Sequence, residues 1–442
     1  MDNKVEPRTL SGTMELLPKE QIKFNNMLDK IKNVYEKFGF LPLDTPIIEL
    51  SEVLLAKAGG ETEKQIYRFN KGDNDLCLRF DLTVPLAKYV SKNQNELAFP
   101  FRRYQIGKVY RGERPQKGRY REFYQCDIDI IGDDNLSVLN DAEMPSIIYN
   151  IFSELDFGDF TICINNRKIL NGLFEELGLK DMQVDVMRII DKIDKIGIEN
   201  VKEEFRKINV PESIIQKIEE FLNISGSNSE KIEKLGNLKI ENEIFKIGFE
   251  ELKQVIEAAY MFGVPEKNIN IDLKIARGLD YYTGTVYETI LNDYKSLGSV
   301  CSGGRYDNLA EFYSNKKFPG VGISIGLTRL FYQLNEMNLI KEKDESMAQV
   351  LVTTVDNNFK EAVNVATKLR TKNIKTEIYL NDKKLKQKMK YADKLEIPYV
   401  LLVGGEELEK GEYVLKNMKT GEQLSVKKDS IIDSLRLQLD KI

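Results

Sequence analysis

The chain has 442 residues, of which 42% are hydrophobic and 31% are charged, a balance typical of globular proteins with a sizeable core. Its length predicts roughly three domains, and its net charge of −5 excludes a global nucleic-acid-binding surface, so any site for a polyanion must be a local basic patch. It contains no histidine, which excludes serine triads and HExxH zinc sites even though a G-x-S-x-G pattern occurs at residues 322–326.

The spacing of the cysteines and the length of the apolar runs indicate the cellular compartment of the protein. Four cysteines are scattered along the chain without a CxxC pair, namely Cys77, Cys126, Cys163 and Cys301. This pattern favours buried free thiols in a reducing compartment over a disulfide framework or a zinc site. No apolar run approaches the length of a membrane span, and the N-terminal stretch "MDNKVEPRTLSG" is too polar for a signal peptide. We therefore expect a cytoplasmic multidomain protein without membrane association.

The first third of the chain is predicted to combine a helix with an antiparallel sheet. Apolar residues at helical spacing over 19–38 predict an amphipathic helix that Gly39 ends. The extended segment "FLPLDTPIIEL" follows, broken by prolines. Between 66 and 132 come short β-like runs whose connections are too short for βαβ crossovers, so we expect antiparallel pairing.

The remaining elements suggest an insertion and a separate terminal domain. Residues 168–262 are rich in lysine and glutamate with a helical period, which predicts a helical insertion. Strand-like runs resume at 269–305, and a strand, tight turn and helix follow to residue 337. After a charged linker, strands and helices alternate to the end of the chain, which predicts a small α/β domain. The predicted segments are 1–167, 168–262, 263–337, 338–346 and 347–442.

Residues 108–132 carry the most polar strand-like pair. A loop there holds five cations, Arg111, Arg114, Lys117, Arg119 and Arg121. In isolation such a cluster is more often a solvated hairpin. However, Gln125, Asp127 and Asp129 alternate after the loop and therefore share one strand face. A face with Gln and Asp opposite an arginine suits a zwitterionic ligand, and an arginine fork suits a phosphate.

Three further stretches have both an ordinary and a functional interpretation. Asp81 and Thr83 precede "VPLAKYV" and could cap a helix, although capping readily explains only one of them. The glycines of "GVGISIGLTRL" permit close approach of a backbone, but their spacing is not a dinucleotide fingerprint, and Arg329 alone would be an ordinary surface residue. The stretch "IARGLDYYTGTVYE" brings Arg277 and Asp280 together with Tyr281 and Tyr282, a set that a core strand does not need.

Taken in order, these stretches resemble the class II aminoacyl-tRNA synthetases. The three motifs of that family resemble "GFLPLDTPIIEL", "KVYRGERPQKGRYREFYQCDID" and "GVGISIGLTRL", and the two signatures of the histidyl-tRNA synthetases resemble "ARGLDYYTGTVYE" and "SGGRYDNL". The resemblance covers essentially the whole chain. It implies an α+β catalytic core with a six-stranded-type antiparallel sheet flanked by helices, a helical insertion, and a C-terminal α/β anticodon-binding domain.

The resemblance also implies a reaction that needs no imidazole. In this family the α-carboxylate of the amino acid attacks the α-phosphate of ATP, and the 3′-terminal ribose of tRNA then takes the acyl group. Alignment and charge stabilisation supply the catalysis. The implied catalytic and ATP-binding residues are Arg111 and Arg277 near the α-phosphate, Arg329 at the γ-phosphate, and Glu113 beside Arg111 or the adenine. Mg²⁺ is implied as a bridge between phosphates, with ligands left open.

For the amino acid, the resemblance implies two groups of contacts. Asp81, Thr83 and Gln125 hold the α-ammonium, with Leu82 in the same histidine site. Neutral imidazole has one N–H donor and one lone pair. Asp129 accepts from the first, Tyr282 serves the second, and Tyr281 walls the pocket. Pairing both ring nitrogens would reject other side chains by roughly 10⁴-fold, so no editing domain is expected.

The remaining implications concern partners. The loop residues Arg114, Gln116, Lys117 and Arg119 resemble the part of the family that meets the acceptor end of tRNA(His), and the insertion is expected to contact tRNA as well. The terminal domain carries a basic helix with Lys383, Lys384, Lys386, Lys388, Lys390 and Lys394. A solvated lysine face is an equally good interpretation of that helix. Homodimerisation is implied through the first motif.

Two rival interpretations remain within the same fold. One is a non-catalytic paralogue that serves as a regulatory subunit of ATP phosphoribosyltransferase, which would be expected to lose the ATP-site arginines and the terminal domain. The other is a class II synthetase for another amino acid, such as glycine, proline or threonine. The retained Arg111, Arg277 and Arg329 argue against the first, and "RGLDYYTG" with Asp129 argues against the second.

Overall fold

The computed structural model describes residues 4–56, 64–114, 118–276, 282–308, 310–340, 346–356 and 358–440. Chain contacts divide it into two compact units, one of residues 1–15 with 24–340 and the other of residues 16–23 with 341–442. Within the described residues, no helix is long and apolar enough to cross a membrane. All four cysteines are buried free thiols, as the sequence predicts.

A mixed eight-stranded sheet forms the centre of the larger unit. Its strands, in the order in which they lie side by side, are β1 (Leu41–Pro42), β5 (Phe101–Tyr110), β6 (Glu122–Ile131), β11 (Gly320–Gly326), β10 (Cys301–Tyr306), β9 (Tyr282–Leu291), β7 (Phe160–Asn166) and β8 (Ile269–Ile271). The six inner strands are antiparallel throughout, which confirms the predicted core. Two short edge strands pair in parallel with β5 and β7. β8 lies within the strand-like runs predicted from residue 269, whereas β1 lies in the stretch that was predicted only as an extended segment.

Helices cover one face of this sheet and leave the other partly open. The helices of the unit outside the insertion are α1 (Pro18–Lys37), α2 (Ser51–Leu55), α3 (Thr83–Asn93), α4 (Leu139–Leu155) and α11 (Leu327–Glu336). On β6, Cys126, Ile128 and Ile130 are fully buried and alternate with Gln125, Asp127 and Asp129. The Tyr35 hydroxyl of α1 donates to the Cys126 carbonyl, and Phe24 of α1 packs edge-on against Phe331 of α11. The period of two in β6 thus separates a packed face from a polar one.

A small antiparallel sheet lies beside the first motif. It consists of β2 (Ile48–Leu50), β4 (Asn74–Leu78) and β3 (Arg68–Lys71). The buried Cys77 and Leu54 pack at its base. Several large apolar side chains of this region remain exposed, namely Leu41, Ile47, Ile48, Leu50 and Phe69.

Six helices lie between β7 and β8, where the sequence predicts a helical insertion. They are α5 (Arg167–Glu176), α6 (Gln183–Ile190), α7 (Ile193–Lys207), α8 (Glu212–Leu222), α9 (Asn228–Gly236) and α10 (Glu243–Met261). Gly172 and Gly248 lie where α5 and α10 cross, and a Cβ on either would overlap the opposite backbone. Glycine therefore sets how closely these two helices approach.

The smaller unit contains a five-stranded sheet in the order β13 (Thr376–Ile378), β12 (Val350–Thr354), β14 (Tyr399–Val403), β15 (Glu412–Asn417) and β16 (Gln423–Lys427). Its helices are α12 (Phe359–Thr371), α13 (Leu385–Lys394), α14 (Gly405–Glu409) and α15 (Ile431–Leu439). The predicted alternation holds through β14. The hairpin of β15 and β16, which the sequence analysis overlooked, then pairs antiparallel with β14.

One predicted feature of the basic helix α13 is wrong in detail. Lys388 is not on the solvated or tRNA-facing side, because its side chain is buried and its ammonium group donates to the Thr354 carbonyl at 2.9 Å. The other five lysines of the predicted cluster are exposed. A lysine stem can pack against apolar groups while its head finds one carbonyl, and composition alone does not reveal this.

Candidate active site

A cleft of about 740 Å³ opens on the polar face of the large sheet. Nine of the predicted site residues line it: Asp81, Thr83, Arg111, Glu113, Arg119, Gln125, Asp129, Tyr282 and Arg329. Leu82 is buried and Arg114 is exposed, and neither lines the cleft. The predicted residues Gln116, Lys117, Arg277 and Tyr281 lie outside the described residues. The fold thus brings together side chains that are far apart in sequence.

Antiparallel register builds the acidic floor of the cleft. Arg103 of β5 stands directly opposite Asp129 of β6, which stands opposite Gly322 of β11. The guanidinium of Arg103 is fully buried and lies 2.6 Å from Oδ2 of Asp129, while the Tyr306 hydroxyl donates to Oδ1 at 2.8 Å. A Cβ at position 322 would lie 2.2 Å from Oδ1 of Asp129, so the glycine leaves room for this carboxylate. Both oxygens are held, yet each retains a second lone pair for a ligand.

Burial changes the protonation of this floor. Removal from water raises the pKa of Asp127 to about 7 and that of Asp81 to about 6. The pKa of Asp129 is also raised by burial, and the nearby Arg103 opposes the increase for both Asp127 and Asp129. Buried carboxylates around one arginine form a net negative pocket, which suits a cationic ligand group.

The segment before α3 supplies the wall of this pocket. Oδ1 of Asp81 accepts a hydrogen bond from the Val84 backbone N–H at 3.1 Å, but the N-cap position of α3 is Leu82, so Asp81 pairs a first-turn N–H from the residue before the cap. Asp81 is nevertheless a lining residue of the cleft, as is Thr83. The carbonyl of Leu82 accepts from Arg103 at 3.3 Å, so Leu82 supports the floor through its backbone.

At the other end of the cleft, the loop between β5 and β6 contributes Arg111 and Arg119. Nε of Arg111 donates to the Phe80 carbonyl at 3.0 Å, and its guanidinium lies 5.1 Å from the centre of the Phe123 ring. The Glu113 carboxylate lies 3.6 Å from the Arg119 guanidinium. These contacts hold Arg111 from one side and leave its remaining N–H groups for an anion.

The third arginine of the described cleft, Arg329, lies in the first turn of α11, where the sequence predicts it. Its guanidinium donates to the carbonyl of Leu297 at 2.7 Å. Gly118, at the end of the basic loop, has a φ of 76°, and a Cβ there would lie 3.8 Å from Cγ of Arg329. Two loops therefore flank the stem and the head of this side chain.

Arg103 and Tyr306 were not predicted as site residues, and Asp127 was predicted only as part of the polar face of its strand. Arg103 carried a signal, because a charged residue within a ten-residue strand needs a partner if it is buried. Tyr306 lies within the quoted signature "SGGRYDNL", and Asp127 lies between two predicted site residues on the same strand face. Pairing Arg103 with Asp129 required the register of β5 and β6.

The arrangement has a clear chemical division. Three buried carboxylates, an amide and tyrosines lie at one end, while Arg111 and Arg329 lie at the other. The first end suits an ammonium group and a planar polar ring, and the second suits a polyphosphate. Within the described residues, no group of three or more Cys, Asp or Glu side chains is arranged to hold a metal ion.

Comparison with known proteins agrees with this geometry. A family model described as "Histidyl-tRNA synthetase" matches residues 12–330, and one described as "Anticodon binding domain" matches residues 349–438. The chain belongs to the histidyl-tRNA synthetase family. A curated relative, "Histidine--tRNA ligase" from Clostridium tetani, is 59% identical over 433 residues, covering 98% of each chain.

Solved structures extend the likeness to the fold of this histidyl-tRNA synthetase family member. The crystal structure of histidyl-tRNA synthetase from Nostoc sp. PCC 7120 is 39% identical, covers 98% of this chain and 100% of its own, and superimposes with a TM-score of 0.91. A structure described as an ATP phosphoribosyltransferase regulatory subunit/histidyl-tRNA synthetase from Bacillus halodurans is 20% identical, covers 91% of this chain and 100% of its own, and has a TM-score of 0.75. The second likeness shows a shared fold alone.

Proposed function

We propose that the protein is a histidine–tRNA ligase, which activates L-histidine with ATP and transfers it to the 3′ end of tRNA(His). The observation that carries the proposal is the division of the cleft. Carboxylates surround Arg103 at one end, which suits an amino acid, and Arg111 and Arg329 lie at the other end, which suits a triphosphate. The family membership and the near-complete coverage of its ligase relatives support the same function.

Histidine is proposed to bind with its ammonium group toward Asp81, Thr83 and Gln125. Its imidazole N–H donates to Asp129, whose orientation Tyr306 and Arg103 fix. Tyr282, at the start of β9, serves the other ring nitrogen, and Tyr281 walls the ring. A side chain without both ring nitrogens would leave these buried polar groups unpaired, and this loss provides the selectivity.

In the activation step, an oxygen of the histidine carboxylate attacks the α-phosphorus of ATP while the bond to the pyrophosphate oxygen breaks. The nucleophile is already an anion, so no protein base is consumed. Arg111 and Arg277 stabilise the charge that develops on the α-phosphate, and Arg329 holds the γ-phosphate. Glu113 fixes the loop residue Arg119 beside them. Arg111 and Arg329 are already positioned by hydrogen bonds to the Phe80 and Leu297 carbonyls, which reduces reorganisation during the reaction.

Mg²⁺ is proposed to accompany ATP, where it would neutralise charge on the phosphates. It usually keeps several waters and takes only one or two protein carboxylates beside the phosphates. The cleft fits this demand, because Glu113 and Glu288 line it separately from the aspartate floor. These two residues would hold the metal ion or its water shell.

The tRNA is proposed to contact three regions. Arg114, Gln116, Lys117 and Arg119 meet the acceptor end, and the terminal domain of residues 347–442 binds the anticodon. The exposed lysines of α13 provide a local basic surface for the second contact. The insertion of residues 168–262 is a further tRNA contact. The catalytic core consists of residues 1–167 and 263–337, and residues 338–346 link it to the terminal domain. Such a ligase acts in the cytoplasm.

A homodimer is proposed through the first motif. The exposed apolar side chains of this region are Leu41, Ile47, Ile48, Leu50 and Phe69. A second copy would cover them. Sedimentation of Ile48→Glu should show a monomer, while Leu437→Glu, an exposed site in the smaller unit, should sediment as the unaltered protein does.

Histidine-dependent exchange of pyrophosphate into ATP tests the function. We expect exchange with histidine and at least 10³-fold slower exchange with glycine, proline or threonine, since a polar pocket rejects ligands that leave its groups unpaired. Charging of tRNA(His) should follow under the same conditions. Absence of exchange with every amino acid would instead favour the regulatory-subunit interpretation, and equal exchange with another amino acid would refute the selectivity.

A further inference from the structure

The G-x-S-x-G pattern at residues 322–326 has no catalytic partner, yet its serine occupies the floor of the cleft. Ser324 stands opposite Asp127 of β6 in the antiparallel register. Its hydroxyl accepts a hydrogen bond from Nε2 of Gln125 at 2.8 Å and also hydrogen-bonds the Asp127 carboxylate. A hydroxyl has a single proton. Since it accepts from the amide, it donates to the carboxylate, and the three side chains form one directed chain.

The hydrogen-bond chain of Gln125, Ser324 and Asp127 determines which oxygen atoms remain without a donor. The N–H end of the Gln125 amide is occupied by Ser324, so its oxygen is the free end. Within the described part of the chain, Oε1 of Gln125 and Oδ1 of Asp127 are buried and have no hydrogen-bond donor. Both residues line the cleft. These two acceptors are available to the N–H groups of a ligand, and in the same part of the chain Nε and Nη1 of the buried Arg103 also lack an acceptor.

We propose that Asp127 binds the α-ammonium group of the amino acid together with Gln125, and that Ser324 is a positioning residue that sets the orientation of both. The proposal rests on the proposed histidine–tRNA ligase function and adds two residues to its ammonium site. The ammonium group has three N–H donors and no acceptor, whereas the carboxylate and the phosphates offer no donors at neutral pH. Of the groups that enter this cleft, the ammonium fits two orphaned acceptors best.

The charges around Asp127 agree with a cationic occupant. Arg103 faces it from β5, Asp129 from β6, Asp81 from the segment before α3, and the Cys301 thiol from β10. One cation thus faces three carboxylates. Burial raises the pKa of Asp127 to about 7, and a bound ammonium group would favour its ionised form.

The test compares two competitive inhibitors of histidine-dependent exchange. L-Histidinol retains the ammonium group and lacks the carboxylate, while 3-(imidazol-4-yl)propionate retains the carboxylate and lacks the ammonium. In Ser324→Ala and Asp127→Asn, we expect the inhibition constant of histidinol to rise roughly tenfold or more, as for a lost hydrogen bond to a charged group. The constant for the propionate should change less than about twofold, and so should the KM for ATP.

Ser146→Ala is the control, because Ser146 is a buried serine outside the lining of the cleft, and its hydroxyl donates to the Phe262 carbonyl at 3.1 Å. It should leave both inhibition constants unchanged. Ser324→Thr, which keeps the hydroxyl, should restore most of the histidinol affinity if the serine acts through its hydrogen bonds. Asp127→Asn conserves shape and provides the second variant should Ser324→Ala fold poorly.

Two results would overturn the proposal. If both inhibitors weaken equally in the two variants, Ser324 and Asp127 support the fold and do not recognise the ammonium group. If histidinol binds either variant as it binds the unaltered protein, Asp127 does not contact the ammonium. Failure of the proposed function is distinct from both results, since the unaltered protein would then show no histidine-dependent exchange.

Discussion

The two ends of the cleft are built in different ways. The amino-acid end lies on adjacent strands, with Arg103 and Asp129 nearly inaccessible to water and fixed by register. The phosphate end uses a loop and a helix, and Arg329 is exposed while Arg111 is partly so. Selectivity for one side chain needs buried groups that cannot rearrange, because an adaptable site would repair its contacts for the wrong ligand. Phosphate binding needs charge more than shape, and cations on loops provide it.

The largest expected effect is at the buried pair. Asp129→Ala leaves the Arg103 guanidinium buried without its carboxylate, which costs on the order of 3–5 kcal/mol of folding free energy. We expect histidine-dependent exchange to be lost and the unfolding temperature to fall together. Calorimetry and exchange on the same preparation check this. Asp129→Asn, which keeps the shape, should recover part of the stability and little of the exchange. An unchanged unfolding temperature in Asp129→Ala would show that the pair is not structural.

The phosphate end should respond differently. Arg111→Ala removes a half-exposed cation, so we expect a loss of roughly 10²-fold or more in exchange rate with little change in unfolding temperature. Steady-state exchange and calorimetry measure the two quantities. Arg121→Ala is a suitable comparison, because Arg121 belongs to the same basic loop, donates to the Ser11 and Glu113 carbonyls, and does not itself line the cleft. If Arg111→Ala lowers the unfolding temperature as much as Asp129→Ala does, the phosphate end of the cleft is as important for folding as the amino-acid end.

Local and long-range contacts differ in the same way in how well the sequence predicts them. The six antiparallel strands, the long first helix and the position of Arg329 followed from periodicity and from family motifs, because those signals are local. The network of Arg103, Asp129 and Tyr306 did not follow, since it joins three strands and its hydrogen bond from Tyr306 to Asp129 spans 177 positions along the chain. The β15–β16 hairpin was missed for a related reason, because its register depends on β14. Side-chain direction within α13 depended on packing, as Lys388 shows.

A smaller effect is expected at the loop that holds Arg329. Gly298 has φ 69° and ψ −159°, a backbone region that is essentially restricted to glycine, and the carbonyl just before it accepts from Arg329. Gly298→Ala should raise the KM for ATP by roughly tenfold, in keeping with a strain of about 1–3 kcal/mol. The KM for histidine should stay the same.

Two variants make that result specific to Arg329. Gly411→Ala introduces a Cβ at another positive φ, 74°, in open space within the smaller unit, and it should leave the KM for ATP unchanged. In an Arg329→Ala background, Gly298→Ala should have no further effect on this KM, because the two changes would remove the same contact. Additive effects in the double variant would show that Gly298 acts independently of Arg329.

The smallest effect is the pH dependence of stability at the amino-acid end. Burial raises the pKa of Asp127 from 3.8 to about 7, so between these values the folded protein binds more protons at this group than the unfolded chain does. Its contribution to stability therefore falls as pH rises through this window, by on the order of 1–3 kcal/mol. Asp127→Asn cannot lose a proton, so its unfolding temperature should rise relative to the unaltered protein between pH 5 and pH 8. Asp81 titrates in both proteins, and its charge contributes to the raised pKa of Asp127 only in the unaltered one. Parallel pH profiles for the two proteins would show that Asp127 is ionised throughout.

Saturating histidine should narrow the difference in unfolding temperature between the two proteins at pH 8. A bound ammonium group stabilises the ionised carboxylate of Asp127, which its buried surroundings otherwise destabilise.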